Sequence, residues 1–172
     1  MRVFTIGHGA RPVDGVLACL AQAEVRTLVD IRRFPASRRN PQFDAPALAD
    51  SLGAAGVSYR HAEELGGRRS GEPGEERFSC ITVSAFRSYA ARMTTQQWQA
   101  ALTDVVDAEE PCLMCAETPW WRCHRRLVAE LLAARGHEVF HILGPGRVER
   151  HRQWEIADYR EGRLYLCGSA VA

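Results

Sequence analysis

The sequence predicts a single α/β domain of three layers: a mostly parallel sheet of about five strands with helices on both faces. Three observations carry this. Short apolar runs alternate with longer amphipathic stretches, the order that builds parallel sheets. The chain has 172 residues, a length that suits one domain with a real core. Neither an internal repeat nor a long linker divides it, so residues 1–172 read as one unit.

Element by element, Arg2 to Ile6 reads as a strand, broken by Gly7-His8-Gly9. Val13 to Ala23 is helical, with Val13, Val16, Leu17 and Leu20 on one face and Pro12 near its start. Thr27 to Ile31 is a second buried strand, and it runs into a loop with Pro35 and Pro41. A helix over Ala45–Ala55 closes at Gly56, and Val57 to His61 forms a short third strand. Residues 64–77 are rich in Gly and Arg and read as a mobile loop, either a phosphate cradle, a lid or a solvated connection. Two helical pieces follow, Val83–Met93 and Thr95–Ala108, with Thr94 or Thr95 as N-cap of the second. Pro111–Ala116 is the fourth strand, Arg122–Arg135 its helix, and Glu138–Leu143 the fifth strand. Residues 144–172 form a polar tail in which Arg163–Cys167 is an edge-strand candidate. The alternation implies a Rossmann-like, three-layer arrangement.

Composition narrows the function classes. Hydrophobic content is 46% and charged content 25%, as in an ordinary globular protein. Net charge is +1, so no global field points to nucleic acid. All 22 basic residues are Arg, which codon bias in a GC-rich genome explains along with the abundant Ala and Gly. No apolar run reaches the roughly 20 residues of a membrane span. The first residues lack a signal-peptide pattern, so a cytoplasmic setting is expected. In that setting the six Cys favour thiol reactivity or metal binding over a disulfide framework.

In a parallel sheet the carboxyl ends of the strands gather on one rim, where ligands bind. Reading the strand exits in turn gives His8, then Asp30 with Arg32 and Arg33, then Tyr59 and His61, then Cys115 and Glu117. Asp30 is an acid within the apolar run Leu-Val-Asp-Ile and needs a partner if buried, Arg32 or His8. A structural ion pair is an equally good reading of it.

The sharper constellation is Cys115, Glu117, Cys123 and His124. A helix beginning near Arg122 would put Cys123 in its first turn, where the helix dipole favours a thiolate, as do Arg122, Arg125 and Arg126. Cys115 and Glu117 share a face if the strand persists that far. A thiol beside a carboxylate and an imidazole supports covalent catalysis, and Cys115 with Cys123 equally supports a redox disulfide. Cys112, Cys115, Cys123 and His124 are ligands of the right class for zinc. Two adjacent final ligands, and opposite faces for Cys112 and Cys115, make that the minority reading; no cofactor is favoured. Cys19, Cys80, Cys112 and Cys167 read as buried small hydrophobes.

Residues 32–39 place four Arg around Phe34, and with Arg68 and Arg69 they suit an anionic ligand on the same rim or a solvated basic loop. Trp120 and Trp121 offer stacking on a base, or packing that keeps the site dry.

Together these landmarks resemble the prokaryotic family named domain of unknown function 488. The resemblance rests on Thr5-Ile-Gly-His8, on Leu28-Val-Asp-Ile-Arg32 with Pro35 and Ser37, and on Pro41-x-Phe43. It continues through Tyr59, Leu65-Gly-Gly-Arg68, Phe86-x-x-Tyr89-Ala, Cys115-Ala-Glu117 and Cys123-His124-Arg125. Gly9 stands where the family pattern commonly has Ser. The resemblance implies that the Cys-Ala-Glu and Cys-His-Arg pieces share one site, with Cys112 peripheral.

The expectation is therefore a small cytoplasmic enzyme, a hydrolase or transferase acting on a nucleotide or nucleic-acid-like substrate. Cys115, Glu117, Cys123, His124 and Asp30 would carry the chemistry. His8, Arg32, Ser37, Tyr59, Arg68 and Arg125 would hold the substrate. The alternative is a noncatalytic redox- or metal-sensing module built on Cys115 and Cys123. Oligomeric state is not fixed by the sequence.

Overall fold

A computed structural model describes residues 1–172. Five parallel strands form most of the central sheet: β1 (Arg2–Gly7), β2 (Thr27–Asp30), β3 (Ser58–His61), β4 (Pro111–Cys115) and β5 (Glu138–Gly144). A sixth, β6 (Arg147–Arg150), folds back antiparallel on β5 through Pro145-Gly146. The order across the sheet is β3-β2-β4-β1-β5-β6. The predicted fold class holds, with one strand more than the sequence suggested.

The strands alternate faces, and each face buries its own cluster. Phe4, Ile6, Leu28, Cys112, Met114 and Ile142 pack under α1 (Val13–Gln22) and α2 (Ala45–Ala54) through Val16, Leu20, Leu48 and Leu52. Val3, Val29, Leu113, Cys115 and Val139 face the other way. They lie under α3 (Ser84–Met93), α4 (Gln96–Val106) and α5 (Arg125–Ala134). Pro12 precedes α1, where its fixed φ suits a helix entry. Thr95 caps α4, its hydroxyl accepting from Trp98 N at 3.4 Å. Residues 64–77 contain the end of one short 3-10 turn, at Leu65, and the start of another, at Glu75.

Four sequence expectations change. The strand expected at the edge is the middle one of a separate sheet, β7 (Ala157–Arg160), β8 (Arg163–Leu166) and β9 (Ser169–Ala170). Leu164, Leu166 and Val171 bury that sheet against the cluster that includes α5, so the end of the chain is core as well as polar surface. Cys80 and Cys167 are not buried free thiols; Cys80 is exposed, Cys167 is half-buried against the core, and they form a disulfide 87 residues apart in sequence. The helix expected from Arg122 begins at Arg125, because Trp120–Arg122 form a 3-10 turn and Cys123 is extended. β4 ends at Cys115, so Glu117 lies beyond the strand and does not share its pleat. No helix is long and apolar enough to cross a membrane.

Candidate functional site at the carboxyl ends of the strands

The chain leaves β1 for α1 on one face and leaves the neighbouring β4 for α5 on the other. Connections that diverge from adjacent strands leave a crevice at their carboxyl ends. A cleft of about 560 Å³ opens there. Its walls come from the turn after β1, the loop after β2, Gly67-Arg68, the start of α3 and the segment from Cys115 to His124. Gly7 allows this closure: a Cβ there would stand 1.9 Å from the Glu117 carbonyl oxygen. Main-chain bonds from His8 N to Cys115 O (2.9 Å) and from Gly9 N to Ala116 O (3.0 Å) stitch the two turns together.

Asp30 is completely buried and fully engaged beneath the cleft. Arg32 grips it through Nε to Oδ1 (2.8 Å) and Nη2 to Oδ2 (2.5 Å), and Tyr59 donates its hydroxyl to Oδ2 at 2.9 Å. Arg32 also donates to Phe43 O at 2.7 Å. Its remaining nitrogen, Nη1, lies 3.4 Å from His8 Nε2. His8 spends its other ring N–H on Gly9 O (2.8 Å), so Nε2 is the acceptor toward Arg32. Its ring stacks on Phe43. Thus Asp30 and Tyr59 stay out of the cleft, whereas His8 and Arg32 line it.

The thiol pair sits on the cleft floor. Cys115 Sγ and Cys123 Sγ are 2.9 Å apart and unbonded, well beyond the roughly 2.05 Å of a disulfide. Cys123 Sγ is also 3.3 Å from His124 Nδ1. His124 Nε2 lies 3.1 Å from the Ile31 carbonyl, which can only accept, so Nε2 carries hydrogen and Nδ1 serves the thiol. Gly67 seats this ring, since a Cβ there would fall 2.6 Å from Nδ1. Tyr89 meets it edge-on.

Beneath the sulfurs lies Arg125, only 1% exposed. Its Nη2 donates to the Glu117 and Thr118 carbonyls and its Nη1 to Thr5 Oγ1. No carboxylate touches it; its charge meets the two thiols. The consequences for the two sulfurs are opposite. Burial pushes both up, and at Cys115 it prevails, reinforced by the hydrogen bond and charge of Cys123. At Cys123 the Cys115 hydrogen bond, the charge and hydrogen bond of His124 and the charge of Arg125 outweigh burial. They hold its thiol well below the ordinary range. In these directions Cys123 is the more acidic member of the pair and Cys115 the donor toward it.

Glu117 lines the cleft with an exposed side chain, and only its backbone carbonyl joins the thiol network. Ser37 and Arg68 line the wall, with Ser37 Oγ accepting from Asn40 N at 3.1 Å. Arg39, Gly67 and Phe86, noted in the sequence only within longer motifs, also line the wall, as do Asn40 and Ala85, which carry no signal of their own. Five arginines in all (Arg32, Arg33, Arg39, Arg68, Arg122) face the cleft against one carboxylate. Trp120 and Trp121 do not line it; Trp120 stacks inward on His141 and Trp121 is half exposed. Cys112 points to the opposite face, so the four zinc-type ligands do not converge. No group of three or more His, Cys, Asp or Glu side chains is placed to hold a metal ion.

Fold and site define an α/β protein with a buried, polarised thiol pair under an arginine-lined cleft at the switch point of its sheet. The chain belongs to the family described as Domain of unknown function DUF488, whose model matches residues 12–132. No curated protein and no solved structure matches it.

Two outcomes follow from this geometry. Asp30→Ala leaves the Arg32 charge buried without its acid, and a loss of about 3–5 kcal/mol is expected in chemical denaturation. Acid should also destabilise the fold through its buried imidazoles. Burial lowers His8, and burial with the charges of His151 and Arg125 pushes His141 down to about 2. Below about 6.5 the unfolded chain takes up protons that these folded rings refuse, so stability falls as pH drops through that window toward about 2. Denaturation midpoints measured from about pH 7 to about pH 4 should fall, and fall less in His141→Gln.

Proposed function

We propose that this chain is a thiol enzyme, a hydrolase or transferase whose cleft takes an anionic substrate of the nucleotide or nucleic-acid class. One observation carries the reading: Cys123 lies between a His124 nitrogen freed to face it and a buried Arg125 that has no carboxylate partner. A buried guanidinium without an acid is costly unless an anion faces it, and the thiolate is that anion.

In the first step the Cys123 thiolate attacks the electrophilic phosphorus or carbon of the substrate. The Cys123 proton goes to His124 Nδ1 as the thiolate forms; a bond to sulfur then forms, the bond to the leaving oxygen breaks, and the proton passes from Nδ1 to that oxygen. Cys115, kept protonated, stabilises the thiolate before attack and receives no bond. In the second step Glu117, on the open side of the cleft, takes a proton from water or from an acceptor hydroxyl. The resulting oxygen displaces sulfur and restores the thiolate, and the proton taken by Glu117 returns to His124 Nδ1 through solvent. Arg33, Arg39, Arg68 and Arg122 supply forks for phosphate, and Phe34, 58% exposed on the wall, offers a ring for a base to stack on. The free Cys115–Cys123 pair suits a reducing, cytoplasmic setting, whereas the Cys80–Cys167 bridge suits an oxidising one.

Calorimetric titration with adenosine monophosphate and a short single-stranded oligonucleotide tests the substrate class. Binding should weaken with salt, and Arg33→Ala with Arg68→Ala should lower it about tenfold or more. Cys123→Ser should bind normally yet lose turnover of chromogenic phosphoesters completely. Undiminished turnover in that variant would overturn the assignment.

The separation of 2.9 Å between the sulfurs favours a second reading, a redox module. A hydroperoxide would oxidise the Cys123 thiolate to a sulfenic acid, releasing the corresponding alcohol or water. Cys115 would then displace hydroxide as water and close a disulfide. Peroxide-treated protein should lose two hydrogens in mass, mapped to a Cys115–Cys123 peptide, with a change in partner binding and no turnover. Persistence of both free thiols counts against it.

A further inference from the structure

Between the sheet and α5 runs a line of polar groups that the two-step reaction does not use. Starting from Arg125, it passes through Thr5, His141, His151 and Glu130, and none of these four side chains is more than 3% exposed. Arg125 Nη1 lies 3.3 Å from Thr5 Oγ1, and Thr5 Oγ1 lies 2.7 Å from His141 Nδ1. His141 Nε2 lies 3.0 Å from His151 Nδ1. His151 Nε2 stands 3.2 Å from Glu130 Oε1, close enough for charge though off the hydrogen-bond line. Glu130 also accepts from Trp154 N (2.8 Å) and from the Tyr159 hydroxyl (2.5 Å). Trp120 covers the line, stacked on His141 at 4.0 Å and tied through Nε1 to Glu149 at 2.6 Å.

The hydrogens along this line have one order. Arg125 can only donate, so Thr5 accepts from it, and the single Thr5 hydrogen is left for His141 Nδ1. His141 therefore carries its hydrogen on Nε2 and gives it to His151 Nδ1. His151 is left with hydrogen on Nε2, facing the Glu130 carboxylate. Reversing the order would strand the Thr5 hydroxyl hydrogen between two donors.

We propose that Thr5, His141, His151 and Glu130 form a one-way chain that positions Arg125 against the Cys115–Cys123 pair. Arg125 makes no direct ion pair, so its Nη1 is fixed by Thr5 Oγ1, which is held in turn by His141, His151 and the buried Glu130 carboxylate. The inference rests on the reading of Cys123 as a thiolate nucleophile. These are positioning residues: they touch neither thiol nor cleft. The groups that face Cys123 are Cys115, His124 and Arg125, with the Tyr89 hydroxyl behind them. Those that face the chain are Arg126 and Tyr159 at Glu130, and Glu149 through Trp120.

The test is a pH titration of ultraviolet thiolate absorbance on the full chain, with Cys123→Ser marking which step belongs to Cys123. Thr5→Val removes the linking hydroxyl at nearly constant shape and should raise the Cys123 midpoint by about one pH unit, about tenfold less thiolate below it. Thr5→Ser keeps a hydroxyl and should retain the wild-type curve. A Thr5→Val curve that superimposes on wild type overturns the chain's role. Should Thr5→Val not fold, Thr5→Ala takes its place, with an upward shift of similar size expected and an unmoved midpoint equally decisive against it. A wild type with no thiolate below the ordinary thiol range overturns the nucleophile reading itself, and this inference with it.

Discussion

The buried guanidinium of Arg125 is the group on which the site depends. It sits where α5 begins, and its donors reach three places at once: the carbonyls of the turn after β4, the Thr5 hydroxyl on β1, and the neighbourhood of the two sulfurs. Each tie has a structural and an electrostatic side. The carbonyl bonds hold the Glu117-Thr118 turn against Gly7, and the positive charge beneath the sulfurs makes a thiolate tolerable in a dry setting. Replacing it by Lys would keep a charge but lose the planar fork that serves three partners.

The two cysteines show how neighbours of one chemical type diverge. Both are buried, and desolvation alone would keep both protonated. Only Cys123 touches His124, so the asymmetry lies in the imidazole, whose far nitrogen is held by a β2–β3 loop carbonyl. Cys115 is then forced into the complementary role of donor. A pair of this kind is more polarised than either thiol would be alone, because one shared hydrogen stabilises one charge.

The layered fold was legible because its signals are local: apolar runs of strand length and amphipathic stretches between them. The rim was legible for the same reason, since strand exits can be read one at a time, and His8, Arg32, Cys115, Cys123 and His124 do meet there. What escaped depends on contacts between distant segments. The Cys80–Cys167 bridge joins positions with no shared pattern, and the antiparallel β6 hides in a charged run, Arg-Val-Glu-Arg. Glu117 illustrates a boundary error: β4 stops at Cys115, short of the carboxylate, which stands on the open wall and not in the pleat. The polar line under α5 did leave a trace. His141 interrupts Val-Phe-His-Ile, and Glu130 interrupts Val-Ala-Glu-Leu, polar residues in apolar runs that only a buried partner explains.

The walls of the cleft are gathered from five stretches scattered between His8 and His124, borrowed from both sides of the sheet. No fragment of the chain carries the recess by itself, so the recess exists only in the completed fold. A compound that fits it therefore prefers the folded chain and raises the stability of the native state with its concentration, by RT ln(1 + [L]/Kd). The heat resistance of the entire domain thus becomes a ligand detector, one that responds to occupancy whatever reaction the cleft performs.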